Sequence, residues 1–210
     1  MSAVELRCAL PPLYAILDPE QARGVSPEVV LSRLLEGGAK VVQVRAKSMT
    51  SRDYLRLART AREMTESFGC RLIINDRADI ALACAADGVH LGQEDLPLQV
   101  ARRLLGNKII GISTHDLDQA KAAEQNGADY IGFGPVFGTS TKDTGYTARG
   151  LTVLRQISSV VNIPIVAIGG VTQANIEDVW RAGAASAAVI SDILKTDDIA
   201  AKVKAILGLR

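Results

Sequence analysis

Residues 37–47 read Gly-Gly-Ala-Lys-Val-Val-Gln-Val-Arg-Ala-Lys. The paired glycines are typical of a helix end, because glycine readily adopts the left-handed conformation that closes many helices. Residues Val41–Val44 are apolar except for Gln43, as expected of a strand that is covered on both faces. Two cations, Arg45 and Lys47, follow directly. The stretch therefore predicts a helix end, a buried strand and then a charged loop.

The same unit of strand and helix repeats along the chain, roughly every 25 residues. Short runs rich in Val and Ile alternate with longer segments of helical periodicity. Eight such units in 210 residues predict an α/β fold, a single (β/α)8 TIM barrel, as one domain over residues 1–210. An open, doubly wound sheet is the alternative. The predicted strands are Leu13–Leu17, Val41–Arg45, Leu72–Ile74, Gly88–Leu91, Ile109–Ile112, Tyr130–Phe133, Ile165–Ile168 and Ala187–Ile190.

Helices are predicted between these runs, and several have a residue at the start that can cap the first turn. Ser26 precedes Pro27, Thr50 or Ser51 opens the next helix, and Asp116 precedes a later one. The remaining helices are predicted from Asp76 or Arg77 to Ala83 and over Leu98–Leu105, Leu117–Gln125, Leu151–Ser159, Ala174–Trp180 and Ile199–Leu207.

Composition argues against several classes of protein. Lys and Arg number 24 and Asp and Glu 23, so the net charge of +1 gives no field for nucleic acid or a membrane surface. We expect no transmembrane segment and no signal peptide. The cysteines Cys8, Cys70 and Cys84 have no metal-type spacing and indicate reduced thiols in a cytoplasmic protein. The sequence leaves the oligomeric state open, a homo-oligomer included.

In a TIM barrel, functional residues follow the strands, at the C-terminal face. Side chains of a strand alternate between its faces, so Gln43, Arg45 and, if the strand geometry persists, Lys47 share one face. An amide, a guanidinium and an ammonium pointing the same way could hold a polyanion. The alternative is a strand end that exposes its cations to solvent.

Two carboxylates, Asp76 and Asp95, follow the adjacent third and fourth strands. Neighbouring strands lie about 4.8 Å apart, so these groups can converge. Two hard oxygen donors beside cations suit Mg²⁺ shared with substrate phosphates. The alternative is that each aspartate caps the helix that follows it.

A second anion site is predicted after the seventh and eighth strands, where barrels often bind phosphate through backbone N–H groups. Gly169-Gly170 would let the backbone approach an anion closely, and Ile190-Ser191 would complete the site. The loop after the sixth strand adds hydroxyls and a cation in Thr139-Ser140-Thr141-Lys142. A polar surface loop is the alternative interpretation of that segment.

Four further residues are less informative. His90 lies within the fourth strand and is predicted to be structural, whereas His115 follows the fifth strand and could face the pocket. Asp18 follows the first strand, at the C-terminal face of the barrel. Trp180 lies within a predicted helix and is predicted to serve packing. The sequence contains no recognisable Ser-His-Asp or Cys-His arrangement, so nucleophilic catalysis is not predicted.

Taken together, these motifs resemble those of the thiamine phosphate synthase family. The similar segments are Gln-x-Arg-x-Lys at Gln43–Lys47, Ile74-Asn75-Asp76-Arg77, the run from Asp87 to Pro97, Gly134-Pro135-Val136-Phe137 with Thr139-Ser140-Thr141-Lys142, and Ile168-Gly169-Gly170-Val171. The resemblance extends from about Leu13 to Leu194. Each motif alone is weak evidence, but the combination is specific.

The resemblance implies a transferase that joins a pyrimidine diphosphate to a thiazole phosphate, with Mg²⁺ as cofactor and small molecules as partners. It assigns the pyrimidine diphosphate to Gln43, Arg45, Lys47 and Asn75, with Ser113 and Lys142 at the diphosphate or the pyrimidine. It assigns Mg²⁺ to Asp76 and Asp95. The thiazole phosphate would contact Thr139, Ser140, Thr141, Gly170, Ile190 and Ser191. Arg45, Lys47 and Lys142 would carry catalysis by stabilising the departing pyrophosphate.

One position departs from the family. Glu often stands between the Arg and the Lys, and this chain has Ala46. Strand parity turns Ala46 toward the helices, so we expect the change to affect packing more than substrate binding. The competing hypotheses are a thiazole phosphate tautomerase using His115, a non-catalytic sensor of phosphate ligands, and a sugar-phosphate epimerase or isomerase on the same fold.

Overall fold

Eight parallel strands close into a barrel in chain order. The protein is described by a computed structural model over residues 9–138 and 147–210. The barrel closes through the pairing of the first and last strands, where Tyr14 lies opposite Ala188. The predicted (β/α)8 barrel is confirmed and the open sheet is excluded. The strands are β1 Leu13–Leu17, β2 Val41–Val44, β3 Arg71–Asn75, β4 Gly88–Leu91, β5 Ile109–Thr114, β6 Tyr130–Phe133, β7 Ile165–Ala167 and β8 Ser186–Val189.

Helices cover the outside of the barrel. Three predicted caps are confirmed, because Ser26, Thr50 and Asp116 each accept a hydrogen bond from a first-turn N–H group. The helices of the described residues are α1 Pro27–Glu36, α2 Ser51–Ser67, α3 Ala78–Ala83, α4 Leu98–Leu105, α5 Leu117–Gln125, α6 Gly150–Ser158, α7 Ile176–Arg181, α8 Ser191–Leu194 and α9 Ile199–Leu207.

The structure differs from the prediction at several element ends. Helix α3 begins at Ala78 because Asp76 has φ 62°, which is outside the helical region. Helix α7 begins at Ile176 because the Asn175 side chain accepts from Thr172 N at 2.8 Å and forms a turn there. A 3₁₀ turn at Pro19–Gln21 and the four-residue helix α8 were not predicted. Elements this short carry too few residues for a periodic pattern.

The buried side chains form two cores, as the alternation of the strands requires. The larger core lies between strands and helices and contains Leu13, Ala15 and Leu17 of β1. It also contains Ala46, which is 5% exposed, so the parity prediction for this residue is confirmed. The smaller core fills the inside of the barrel and contains Tyr14, Ile16, Val41, Ile73, Tyr130, Val166 and Ala188.

None of the helices within residues 9–138 and 147–210 has both the length and the apolar character needed to cross a bilayer.

Candidate active site

A pocket lies at the C-terminal ends of the strands, as expected for this fold. Seven of the predicted site residues line it: Gln43, Arg45, Asn75, Ser113, Gly170, Ile190 and Ser191. The strand order therefore brings together side chains that lie as much as 148 positions apart in the sequence, between Gln43 and Ser191.

Arg45 lies in the wall of this pocket, paired with Asp18. The Asp18 carboxylate is 1% exposed and accepts from Arg45 and from Glu20 N. Arg45 was predicted as the last residue of its strand, but β2 ends at Val44. Its backbone N–H still donates to Leu17 O at 2.9 Å, so β1 continues to hold it. The pair fixes the guanidinium at the pocket instead of leaving it in solvent.

Three charged residues form a second group, the rim cluster of Lys47, Asp76 and Asp95, which lies outside the pocket lining itself. Lys47 Nζ is 3.2 Å from Asp76 Oδ2. The strand geometry does not persist to Lys47, because the chain turns at Lys47-Ser48. The ion pair with Asp76, and not strand parity, therefore positions the ammonium.

Neither aspartate of the rim cluster caps a helix. The cap position of α3 is Arg77, and that of α4 is Pro97, and neither helix has a side-chain cap. Asp76 instead has positive φ and donates its N–H to His90 O at 2.8 Å. Left-handed backbone is uncommon for a residue other than glycine and concentrates at functional sites. The capping interpretation of both residues is wrong.

The two carboxylates of the rim cluster interact with each other. Burial raises the pKa of Asp95, and the neighbouring Asp76 carboxylate raises it further, while the N–H of Gly92, at 2.6 Å from Asp95 Oδ2, acts in the opposite direction. Like charges held together in this way are stabilised by a cation. The residues therefore fit a divalent metal ion.

A metal ion at the rim cluster would need further ligands. No group of three or more His, Cys, Asp or Glu residues that could hold a metal occurs in the described parts of the chain. Mg²⁺ normally uses one or two carboxylates and completes its shell with water and substrate phosphates. The two aspartates are consistent with this usual coordination of Mg²⁺.

The opposite side of the pocket is formed by the loops after β7 and β8. Gly170 has φ 64°, and a Cβ atom there would lie 2.5 Å from Gly138 O, so only glycine fits. Ile190 and Ser191 complete this side, with α8 starting at Ser191. Thr139, Ser140, Thr141 and Lys142 lie outside the described residues, so their predicted roles stay predictions.

A chain of hydrogen bonds crosses the barrel among residues that line the pocket, and the sequence did not predict it. Gln43 Nε2 donates to Tyr14 OH at 2.9 Å, and Tyr14 OH is 2.7 Å from Tyr130 OH. Tyr130 OH is 3.0 Å from His90 Nδ1, and His90 Nε2 is 2.9 Å from Ser113 Oγ. His90 also lines the pocket, and its predicted structural role stays a prediction.

Two glycines make room for this chain. A Cβ atom at Gly111 would lie 2.0 Å from Tyr130 Cζ, and one at Gly132 would lie 2.8 Å from His90 Cε1. Glycine inside a buried strand often marks a close approach of this kind. Gly111 and Gly132 were therefore the available sequence signal.

His115 also lines the pocket, as its position after β5 suggested. Its Nδ1 lies 2.6 Å from Gly134 O. A carbonyl oxygen only accepts, so Nδ1 of His115 carries a proton.

A sequence model of the family described as thiamine monophosphate synthase matches residues 13–193. The chain belongs to the thiamine monophosphate synthase family. It is 47% identical over 197 residues to the thiamine-phosphate synthase of Chloroflexus aurantiacus, covering 94% of this chain and 91% of that protein. It is 44% identical over 198 residues to the Clostridium novyi thiamine-phosphate synthase, with 94% and 97% covered.

The fold agrees with a solved structure, the thiamine phosphate pyrophosphorylase from Pyrococcus furiosus. The TM-score is 0.88 at 36% identity, covering 97% of this chain and 98% of that one. The resemblance to the thiamine phosphate synthase family is thus confirmed. Relatives in this family are named as synthases, so the chain is an enzyme of the transferase class.

Proposed function

We propose that this protein is a thiamine phosphate synthase that uses Mg²⁺. It would join 4-amino-5-hydroxymethyl-2-methylpyrimidine diphosphate to 4-methyl-5-(2-phosphoethyl)thiazole, or to its carboxylate, and release pyrophosphate. The observation that carries the proposal is the rim cluster, where two interacting carboxylates lie beside an ammonium at the pocket mouth. That arrangement suits a substrate with a metal-bound diphosphate.

The diphosphate side of the site is formed by residues after β2, β3 and β4. Arg45, which lines the pocket, and Lys47 would bind phosphate oxygens, and the pocket residues Gln43 and Asn75 would contact the pyrimidine. Asp76 and Asp95 would hold Mg²⁺, and the ion would supply neutralisation of charge on the diphosphate. Arg45 keeps its orientation through Asp18, since a guanidinium has five N–H donors and can serve a carboxylate and a phosphate together.

The reaction breaks the bond between the pyrimidine methylene carbon and the diphosphate oxygen, and the electron pair leaves with pyrophosphate. The thiazole nitrogen then gives its lone pair to the methylene carbon. No enzyme nucleophile is needed, which agrees with the absence of a nucleophile motif in the sequence. The protein contributes charge stabilisation of the leaving group through Arg45, Lys47 and Lys142, and alignment of the two substrates.

The thiazole phosphate would occupy the opposite side. Gly170, Ile190 and Ser191 offer backbone and hydroxyl donors there, and Thr139, Ser140 and Thr141 would complete the phosphate contacts. Separate phosphate sites would keep the two anionic groups apart while the thiazole nitrogen is aligned with the methylene carbon.

The rim cluster also favours a synthase over the alternatives. A thiazole phosphate tautomerase needs an acid–base group such as His115 but no diphosphate or metal residues. A sensor of a single phosphate needs one anion site. Neither gives a reason for the carboxylate pair of Asp76 and Asp95 beside Lys47.

The direct test is to mix the purified protein with both substrates and Mg²⁺ and to follow thiamine phosphate and pyrophosphate. Equal amounts of both products are expected, and none when EDTA removes the metal. A matched control is the Asp95→Asn variant, which keeps the shape of the site. Absence of product with fresh substrates and metal would refute the proposal.

We also propose that the partners are these small molecules alone and that the enzyme works in the cytoplasm. Cys70 and Cys84 are free and buried, as is usual where thiols stay reduced. Gel filtration would show whether the enzyme forms a homo-oligomer.

A further inference from the structure

We propose that Tyr14, Tyr130 and His90, which we call the relay, are positioning residues that give the hydrogen-bond chain along the pocket lining one fixed direction. The relay would present an acceptor atom of Gln43 at one end and the hydroxyl hydrogen of Ser113 at the other. This inference rests on the proposed function and explains how that site would select an aminopyrimidine.

The relay is a rigid part of the barrel. Tyr14 and Tyr130 are 1% and 0% exposed, and their rings are 5.9 Å apart. The His90 ring stacks on the Tyr130 ring at 5.5 Å. Gly111 and Gly132 leave the space that the rings of Tyr130 and His90 fill. Side chains confined in this way cannot turn to suit the ligand.

The direction of the chain begins at Gln43. Its Nε2 faces Tyr14 OH, and an amide nitrogen only donates, so the Tyr14 oxygen accepts. The other amide atom, Oε1, is an acceptor. Because Gln43 lines the pocket, Oε1 would accept from a ligand N–H there.

The direction continues through the two tyrosines. Hydrogen bonds in a chain strengthen one another when each hydroxyl accepts one proton and donates its own. Tyr14 therefore donates to Tyr130, and Tyr130 donates to His90 Nδ1. The neutral imidazole then carries its proton on Nε2.

The chain ends at Ser113. His90 Nε2–H donates to Ser113 Oγ at 2.9 Å, so the hydroxyl hydrogen of Ser113 is directed to another acceptor. Ser113 lines the pocket, and a ring nitrogen of a ligand can accept that hydrogen. A 4-aminopyrimidine offers an amino donor and a ring-nitrogen acceptor, whereas the corresponding pyrimidinone does not offer this pair.

His115 provides an internal comparison. Its Nδ1 is protonated because it faces Gly134 O, so the two histidines of the chain should be opposite tautomers. This contrast can be measured without any substrate.

The first test is ¹⁵N NMR of histidine-labelled wild-type protein at about pH 8, where histidine is normally neutral. A His115→Gln variant assigns the two rings. The expected result is a proton on Nε2 of His90 and on Nδ1 of His115. A proton on Nδ1 of His90 would reverse the whole chain and overturn the proposal.

The second test uses Tyr130→Phe, which keeps the ring and removes only the hydroxyl. The His90 Nδ1 resonance should shift, because its donor is lost. Tyr54→Phe is the matched control, since Tyr54 is 3% exposed and its hydroxyl bonds backbone atoms of Val44 and Asn75 and not the His90 ring. A His90 spectrum unchanged in Tyr130→Phe, or changed equally in Tyr54→Phe, would overturn the proposal. Tyr14→Phe repeats the test if Tyr130→Phe does not fold.

The third test is kinetic. In Tyr130→Phe, KM for the pyrimidine diphosphate should rise roughly tenfold, the loss expected for about one hydrogen bond, with KM for the thiazole phosphate unchanged. A parallel change in both constants would indicate a merely structural role and contradict the proposal. If the wild type makes no thiamine phosphate at all, the proposed function fails, while the NMR results still decide the direction of the relay.

Discussion

Arg45 forms an ion pair with Asp18, a carboxylate that is almost fully buried beside the pocket. Asp18 was only a weak candidate in the sequence, and its contribution is to hold the guanidinium in place. The cation that we propose to bind substrate therefore also compensates a buried charge, and the two roles can be separated by mutation.

The Arg45→Ala variant is expected to lose about 3–5 kcal/mol of folding free energy, because it leaves Asp18 buried without its partner. It should also weaken the binding of the pyrimidine diphosphate far more than the binding of the thiazole phosphate. Urea unfolding and the two KM values measure these effects. The Asp18→Asn/Arg45→Ala double variant should recover most of the stability but none of the diphosphate affinity. Equal loss for both substrates would contradict the two-site arrangement.

Asp95→Asn is expected to stabilise the metal-free protein at neutral pH by roughly 0.5–1 kcal/mol after solvent screening. Burial and the Asp76 carboxylate raise the pKa of Asp95, so folding makes the ionised form of this group less favourable than it is in the unfolded chain. The contribution of Asp95 to the free energy of unfolding is fully present at low pH and is lost as pH rises through the raised pKa. The advantage of the variant should therefore appear above that pKa in thermal unfolding.

Mg²⁺ should raise the melting temperature of the wild type, and this effect should fade as pH falls toward the raised pKa of Asp95. Asp95→Asn should show little response to Mg²⁺. An equal response of both proteins would exclude Asp95 as a metal ligand.

Lys47→Ala should lower kcat/KM for the diphosphate substrate roughly tenfold to a hundredfold, since it removes a charge from the leaving-group side of the site. Lys40→Ala is the matched control at the opposite end of the same strand, where Lys40 donates to Phe68 O. Steady-state rates of the two variants are compared. A similar loss of kcat/KM in both variants would mean that the effect comes from the change in net charge and not from the position of Lys47.

Gly170→Ala should raise KM for the thiazole phosphate, because the new methyl group would meet Gly138 O at 2.5 Å and displace the loop. Gly127→Ala is the control for backbone strain alone, since Gly127 has φ 87° and open space around it. Both variants should lose about 1–2 kcal/mol from the strained backbone. If Gly170→Ala leaves the kinetics unchanged, this loop does not contribute to the phosphate site.

Cys70 and Cys84 should react slowly with a thiol reagent in the folded protein. Burial raises the pKa of Cys70 to about 12 and also raises that of Cys84, so little thiolate forms at pH 8. A Cys8→Ser variant isolates these two thiols. Reagent uptake should be slow in buffer and rapid in urea, and rapid uptake in buffer would contradict their burial.

The sequence was sufficient for the fold because the evidence is local and repeated. Buried parallel strands must be apolar on both faces, and helices must carry an apolar stripe, so patterns at Leu13–Leu17 or Leu98–Leu105 identify their elements. Eight repeats leave the closed barrel as the natural arrangement. The same logic predicted that site residues follow the strands, and the pocket contains seven of them.

Contacts between residues far apart in the chain were decided only by the tertiary structure. Strand parity could not predict that Lys47 turns to Asp76, that Asp18 holds Arg45, or that Tyr14 and Tyr130 meet 116 positions apart. A pattern in one segment records which face is buried, but not which partner lies across the barrel. Closure of the sheet sets those partners, because it fixes the positions of side chains from opposite walls.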